Sequence, residues 1–192
     1  MGTGKFSNVI QVGWHFLNYK PQCMLDPEYL ILMDTATALV PYLPSSATQT
    51  QNVMRLLHGR AGCLADLGSG DGRLVFAASS LGFHCTGFEI NSILTSYARV
   101  RARWMGIPAT TARFVNEDFW KTDLSEYKNV TVFLAPGVMD VLARKLEEEL
   151  GDDARVIACR FPFPDWPIAV SEGDGLDKAW AYDMDKVRKP AA

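Results

Sequence analysis

From residue 62 onward, apolar residues gather in short runs, and between those runs they recur every three or four positions. The runs at about 62–67, 83–89, 111–115, 129–135 and 154–160 read as buried strands, and the patterns at about 72–81, 91–105 and 136–150 as amphipathic helices. This alternation predicts an α/β domain on a doubly wound, mostly parallel sheet. Helix ends agree with that register: Gly82 follows the first, Asn91 can cap the second, Pro136 opens the third and Gly151 closes it. Upstream, Ser46-Ala-Thr-Gln49 has capping-box spacing and Val53, Leu56 and Leu57 share a face, which predicts a helix over about 47–58. After residue 160 the pattern changes to Arg-Phe-Pro-Phe-Pro-Asp-Trp-Pro, then to strand candidates at about 166–171 and 178–183, expected as an antiparallel hairpin on the sheet edge. Residues 1–43 lack a sustained period and read as an extension packed on the domain, 44–185 as the domain and 186–192 as a tail.

With 192 residues, 48% of them hydrophobic and 21% charged, the chain fits one globular domain with one active site. A net charge of -3 disfavours a nucleic-acid partner and suits a cationic one. The cluster of Arg99, Arg101, Arg103 and Arg113 reads as solvated helix surface. Cys23, Cys63, Cys85 and Cys159 are too scattered for a zinc site or a disulfide framework, so no metal is expected and a reducing compartment follows. The longest apolar stretch, Tyr29 to Leu43, is broken by Asp34 and Pro41, so no membrane span is expected. The first 20 residues lack the layout of a targeting segment.

Candidate chemistry concentrates in Asp66-Leu-Gly-Ser-Gly-Asp-Gly72, which follows a strand and opens a helix. Glu89 closes the next strand 19 residues beyond Gly70, placed to take two ribose hydroxyls. The glycines are spaced GxGxG and bracketed by Asp66 and Asp71. A carboxylate about 5 Å from a phosphate would be repelled by about 3 kcal/mol at an effective dielectric near 20, and a sulfonium or ammonium attracted by as much. The loop therefore suits S-adenosylmethionine over a dinucleotide. After the third strand, Asp118 can accept from an adenine amino group while Phe119 packs on the base.

Val40-Pro-Tyr-Leu-Pro-Ser-Ser46, Asp66 to Arg73, Phe88-Glu-Ile-Asn91, Glu117-Asp-Phe-Trp-Lys121, Asp152 to Pro164 and Trp180-Ala-Tyr-Asp183 together resemble the mitochondrial protein-lysine methyltransferases that act on adenine nucleotide translocase and the ATP synthase c subunit. The resemblance runs from about Val40 to Asp183; the proline-serine and Arg-Phe-Pro-Phe-Pro segments are its specific parts. It implies a class I, seven-stranded, Rossmann-like methyltransferase fold, S-adenosylmethionine as methyl donor and a lysine of a mitochondrial inner-membrane protein as acceptor. Membrane association would then come through the substrate. Cofactor contacts are expected at Ser45, Asp66, Gly68, Ser69, Gly70, Asp71, Gly72, Glu89, Asn91, Asp118 and Phe119. The sequence departs from the family at Ser92-Ile93, where proline and tryptophan are usual, and in lacking a hydrophobic amino-terminal segment.

Methyl transfer from a sulfonium is an in-line displacement, so positioning and removal of water are the main demands. The acceptor lysine must be neutral. Taking an amine of pKa about 10.4 to that form near pH 7.5 costs about 4 kcal/mol, which a desolvated aromatic channel facing a sulfonium partly offsets. Tyr42 and Pro136 are the expected catalytic residues, near Ala135; Phe161, Phe163, Trp180 and Tyr182 are channel candidates. Competing readings are a nicotinamide dehydrogenase, disfavoured by the loop; a nucleic-acid methyltransferase, disfavoured by the charge and by Leu134-Ala-Pro136; and a cofactor-binding scaffold without catalysis.

Overall fold

The computed structural model describes residues 44–189. Tyr42, the Tyr29–Leu43 stretch, Cys23 and the expected extension lie outside the described residues. Helix α1 (Ala47–Leu56) leads to β1 (Cys63–Leu67), α2 (Arg73–Ser80), β2 (His84–Phe88), α3 (Ser92–Trp104) and β3 (Ala112–Val115). Then come β4 (Asn129–Val132), α4 (Met139–Glu149), β5 (Arg155–Cys159), β6 (Val170–Glu172), β7 (Ala179–Asp183) and α5 (Met184–Arg188). The seven strands form one sheet in the order β3-β2-β1-β4-β5-β7-β6. The first five are parallel; β7 runs antiparallel to both β5 and β6.

The short apolar runs become strands because both faces of the sheet are covered. Ala65 and Leu67 of β1 point into a core with Leu142 and Leu146 of α4 and Tyr182 of β7. Leu64 points the other way, into Val53 and Leu56 of α1, Val75 of α2 and Ala98 of α3. Cys85 and Cys159 are buried free thiols on β2 and β5, and burial pushes the Cys85 thiol up to about 12.

Several local expectations are met in altered form. Ser46 caps α1 by accepting from the Gln49 N–H at 2.9 Å, but the reciprocal half of the capping box is missing: the Gln49 amide donates to Leu176 O at 3.1 Å. The last hairpin forms, yet β7 is interior, with β6 outermost, so Trp180 and Tyr182 do not lie on an edge strand. Helix α5 crosses the expected domain end at 185. Arg188 folds back onto Asp152 and the carbonyls of Glu147 and Leu150, so at least this part of the expected tail is packed.

Candidate active site

The parallel strands all finish on one edge of the sheet, and the strand order reverses between β1 and β4, where open α/β sheets form a ligand crevice. At this edge Gly68, Gly70 and Gly72 have φ of 78°, 53° and 82°, a left-handed conformation unfavourable for other residues, which explains the GxGxG spacing. The bend is pinned to β2: Gly68 N–H and Ser69 N–H both donate to Phe88 O at 2.9 Å. Gly72 also meets a packing limit, since a Cβ there would lie 2.5 Å from Phe114 Cε1.

Glu89 holds the turn from the neighbouring strand. Its Oε2 accepts from Gly70 N–H and its Oε1 from Asn91 N–H, both at 2.8 Å. Each oxygen retains acceptor capacity for a hydroxyl, so the carboxylate is fixed in place without being used up. Asn116 Nδ2 donates to the carbonyls of Glu89 and Ile90 at 2.9 and 2.8 Å, tying the end of β3 to the same turn. Asn91 caps α3, accepting from Ile93 N–H and Leu94 N–H.

Asp66 is 3% exposed and accepts from Thr131 Oγ1 of β4 at 2.7 Å. Burial drives its pKa up to about 7, with repulsion from Glu89 and Asp71 adding to the rise and the Thr131 bond opposing it. Among the described residues no basic side chain pairs with Asp66 or Glu89. Asp71 differs from the expectation of two free carboxylates around the loop. Its oxygens take Arg73 Nε and Nη2 at 3.0 and 2.9 Å, and Arg101 Nη1 lies 3.7 Å away. Asp71 is thus neutralised by the protein, and the cation-attracting charge falls to Asp66 and Glu89. Arg101 also rests over the Phe76 ring at 4.9 Å, so the arginine cluster on α3 is not wholly solvated surface. Arg73 Nη1 donates to Ser45 O, which brings the buried Ser45 beside the loop.

Asp118 and Phe119 open a single 3-10 turn after β3. Asp118 Oδ1 accepts from Trp120 N–H at 3.2 Å, and the Phe119 and Trp120 rings lie 4.8 Å apart. Pro136 starts another 3-10 turn after β4 and is exposed with Ala135. At the end of β5, Arg160 has φ of 66°, the one non-glycine residue with positive φ among the described residues. Phe161 N–H closes this turn onto Cys159 O at 2.8 Å, leaving Phe161 half-buried. Phe163 goes elsewhere: it is buried, stacks on Trp166 with centroids 4.1 Å apart and donates its N–H to the Tyr182 hydroxyl at 3.1 Å. Phe163 and Tyr182 are therefore core residues rather than channel walls. Trp180 is half-buried on β7, with Lys178 Nζ 5.6 Å from its ring centre.

The residues fit an S-adenosylmethionine-like ligand: a fixed carboxylate for a diol, a buried carboxylate without a basic partner for a cation, and a glycine bend open to close approach. The buried Ser69 Oγ has no hydrogen-bond partner among the described residues and is a further polar atom at the bend. Sequence reading gave Thr131 no role, left Asn116 and Arg160 within their segments without functions of their own, and placed Arg101 on solvated surface. Of these, only Thr131 left a clue, as a polar residue amid the apolar fourth strand.

Residues 66–169 match the family model described as the ANTKMT methyltransferase domain. The chain belongs to this family. It is 47% identical to the ATP synthase c-subunit lysine N-methyltransferase of Xenopus laevis, covering 78% of this chain and 66% of that protein. It is also 47% identical to the adenine nucleotide translocase lysine N-methyltransferase of Mus musculus, covering 76% and 63% respectively. The chain spans between 60% and 68% of the length of the vertebrate relatives it matches. An RNA methyltransferase from Salinibacter ruber, solved with S-adenosyl-L-homocysteine, superimposes with a TM-score of 0.68 at 28% identity, over 74% of this chain and 94% of that one. The family assignment and this likeness agree with the strand order in giving a class I methyltransferase fold.

Proposed function

We propose that this family member is an S-adenosylmethionine-dependent protein-lysine N-methyltransferase whose acceptor is a mitochondrial inner-membrane protein, the ATP synthase c subunit or adenine nucleotide translocase. The observation that carries the cofactor reading is the Glu89 carboxylate, locked between Gly70 N–H and Asn91 N–H beside the glycine bend. The acceptor reading is supported by the family and by the names of its lysine-methylating members. A mitochondrial location follows from the same acceptors. Among the described residues no helix is long and apolar enough to cross a membrane.

When bound, S-adenosylmethionine supplies an electrophilic methyl group. Glu89 accepts the ribose hydroxyls, Asp118 and Phe119 hold the adenine, and Asp66 provides the buried negative charge that favours a cationic ligand. Ser45, Gly68, Ser69, Gly70 and Asn91 shape the bend, and Asp71 and Gly72 set its conformation. Among the described residues, Pro136, Phe161 and Trp180 are the candidates to line the path of the lysine and exclude water, so that its amine arrives neutral; Tyr42, outside the described residues, is kept as a catalytic candidate from the sequence. No strong base is needed, because the ammonium gives its proton to solvent water before methyl transfer.

The test is to incubate the full chain with tritiated S-adenosylmethionine and mitochondria lacking the endogenous enzyme, then identify the labelled band and residue. A labelled lysine in the ATP synthase c subunit or the translocase is expected. Glu89→Ala should weaken cofactor binding by about 100-fold or more in calorimetry, since charge-assisted hydrogen bonds on both oxygens are lost. Label entering RNA and not protein, or unchanged cofactor affinity in Glu89→Ala, would overturn the reading.

A further inference from the structure

Helix α3 is apolar on two sides. Its inner side buries Leu94, Ala98 and Ala102. At about 100° of turn per residue, Ile93, Tyr97, Val100 and Trp104 fall within about 60° of one another on the opposite side, in a stripe about 16 Å long. Ile93 is 42%, Val100 55% and Trp104 73% exposed. An amphipathic surface helix would carry charge there. The polar flanks are also one-sided: Arg99, Arg101 and Arg103 stand on a helix with no carboxylate, in a chain whose net charge is -3. Arg103 is exposed, Arg99 is exposed but donates its Nε to Phe114 O at 2.9 Å, and Arg101 turns to Asp71.

We propose that the outer face of α3 docks on an anionic lipid bilayer, with Val100 and Trp104 entering the acyl boundary and Arg103 meeting lipid phosphates. Charge complementarity selects this occupant. Aromatic and branched apolar residues beside Arg103, on a helix that carries no carboxylate, match an interfacial helix on acidic lipid, while an apolar protein surface would leave Arg103 unanswered. The stripe starts next to Asn91 and Glu89, where Ile90 is 71% exposed, so docking brings the cofactor edge of the sheet close to the lipid. The inference stands on the helix itself. A membrane-embedded acceptor would give such docking a use, but binding to lipid requires neither cofactor nor acceptor.

The experiment is sedimentation of the full 192-residue chain with vesicles of phosphatidylcholine, with and without phosphatidylglycerol. Binding is expected only with the anionic lipid, weakened by about tenfold or more in Val100→Ser/Trp104→Ser and in the single variant Arg103→Glu. Thermal unfolding should be nearly unchanged, because these side chains are exposed. Acyl chains carrying bromine should quench Trp104, and the quenching should fall in Trp104→Phe. Equal binding by the serine variant, failure of the wild type to bind anionic vesicles, or a dimer that the serine variant abolishes would each overturn the proposal. Because no methyl transfer is measured, a wrong acceptor assignment would leave this result intact.

Discussion

Thr131 and Asp66 face each other across neighbouring strands, the Thr131 hydroxyl donating at 2.7 Å to a carboxylate that burial has made hard to ionise. The pair sits where the glycine bend begins. Ionising Asp66 therefore costs the folded chain stability, and a cation in the crevice would offset that cost.

Asp66 is raised to about 7, above its ordinary carboxylate value, so the folded chain holds this proton more tightly than the unfolded chain. The sign follows: from about pH 4 to about pH 7 the group lowers stability as pH rises, and above the folded pKa its penalty is fully present. Melting temperatures measured across that range should fall for wild type relative to Asp66→Asn, which keeps an oxygen for Thr131. S-adenosylmethionine affinity should rise with pH over the same window in wild type and stay flat in the variant. A parallel pH profile for the two proteins would contradict the assignment.

Arg73 and Arg101 share Asp71 unequally. Arg73 contacts it through two nitrogens and is mostly buried, whereas Arg101 stands 3.7 Å off with its side chain 38% exposed. Urea denaturation should show a loss of about 3 kcal/mol for Arg73→Ala, which strands a buried carboxylate. Arg101→Ala should cost less than about 1 kcal/mol. Comparable losses would mean that Asp71 depends on both arginines alike.

Tyr182→Phe removes the acceptor of the buried Phe163 N–H while leaving ring packing on Phe163 and Trp166 in place. An unsatisfied buried donor costs about 1–3 kcal/mol, and chemical denaturation should record a loss of that size. A neutral result would show that the Phe161 to Pro164 segment shifts to find another partner.

Much of this arrangement could be read along the chain. Strands buried on both faces leave continuous apolar runs, and the positive φ values of Gly68, Gly70 and Gly72 require glycine spacing that is visible without a structure. Spatial order was less legible. The residues of β6 and β7 show that they are strands, but no local pattern says that the later one lies inside the earlier one. Partner choice was also hidden: Arg101 looked like surface because its target lies 30 positions upstream, and Gln49 was expected to complete its own cap but reaches Leu176 instead. Phe163 belongs to a loop of alternating prolines and so suggested a channel wall, until Trp166 and Tyr182 closed around it.

The interior place of β7 sets a condition on how the molecule can be made. During synthesis the open side of β5 can acquire its neighbour only after Asp183 has left the ribosome, when Arg155 and Asp183 can join the two strand ends at 2.7 Å. A nascent chain stalled before that point would carry an unpaired strand flank, and the cell would have to shield it.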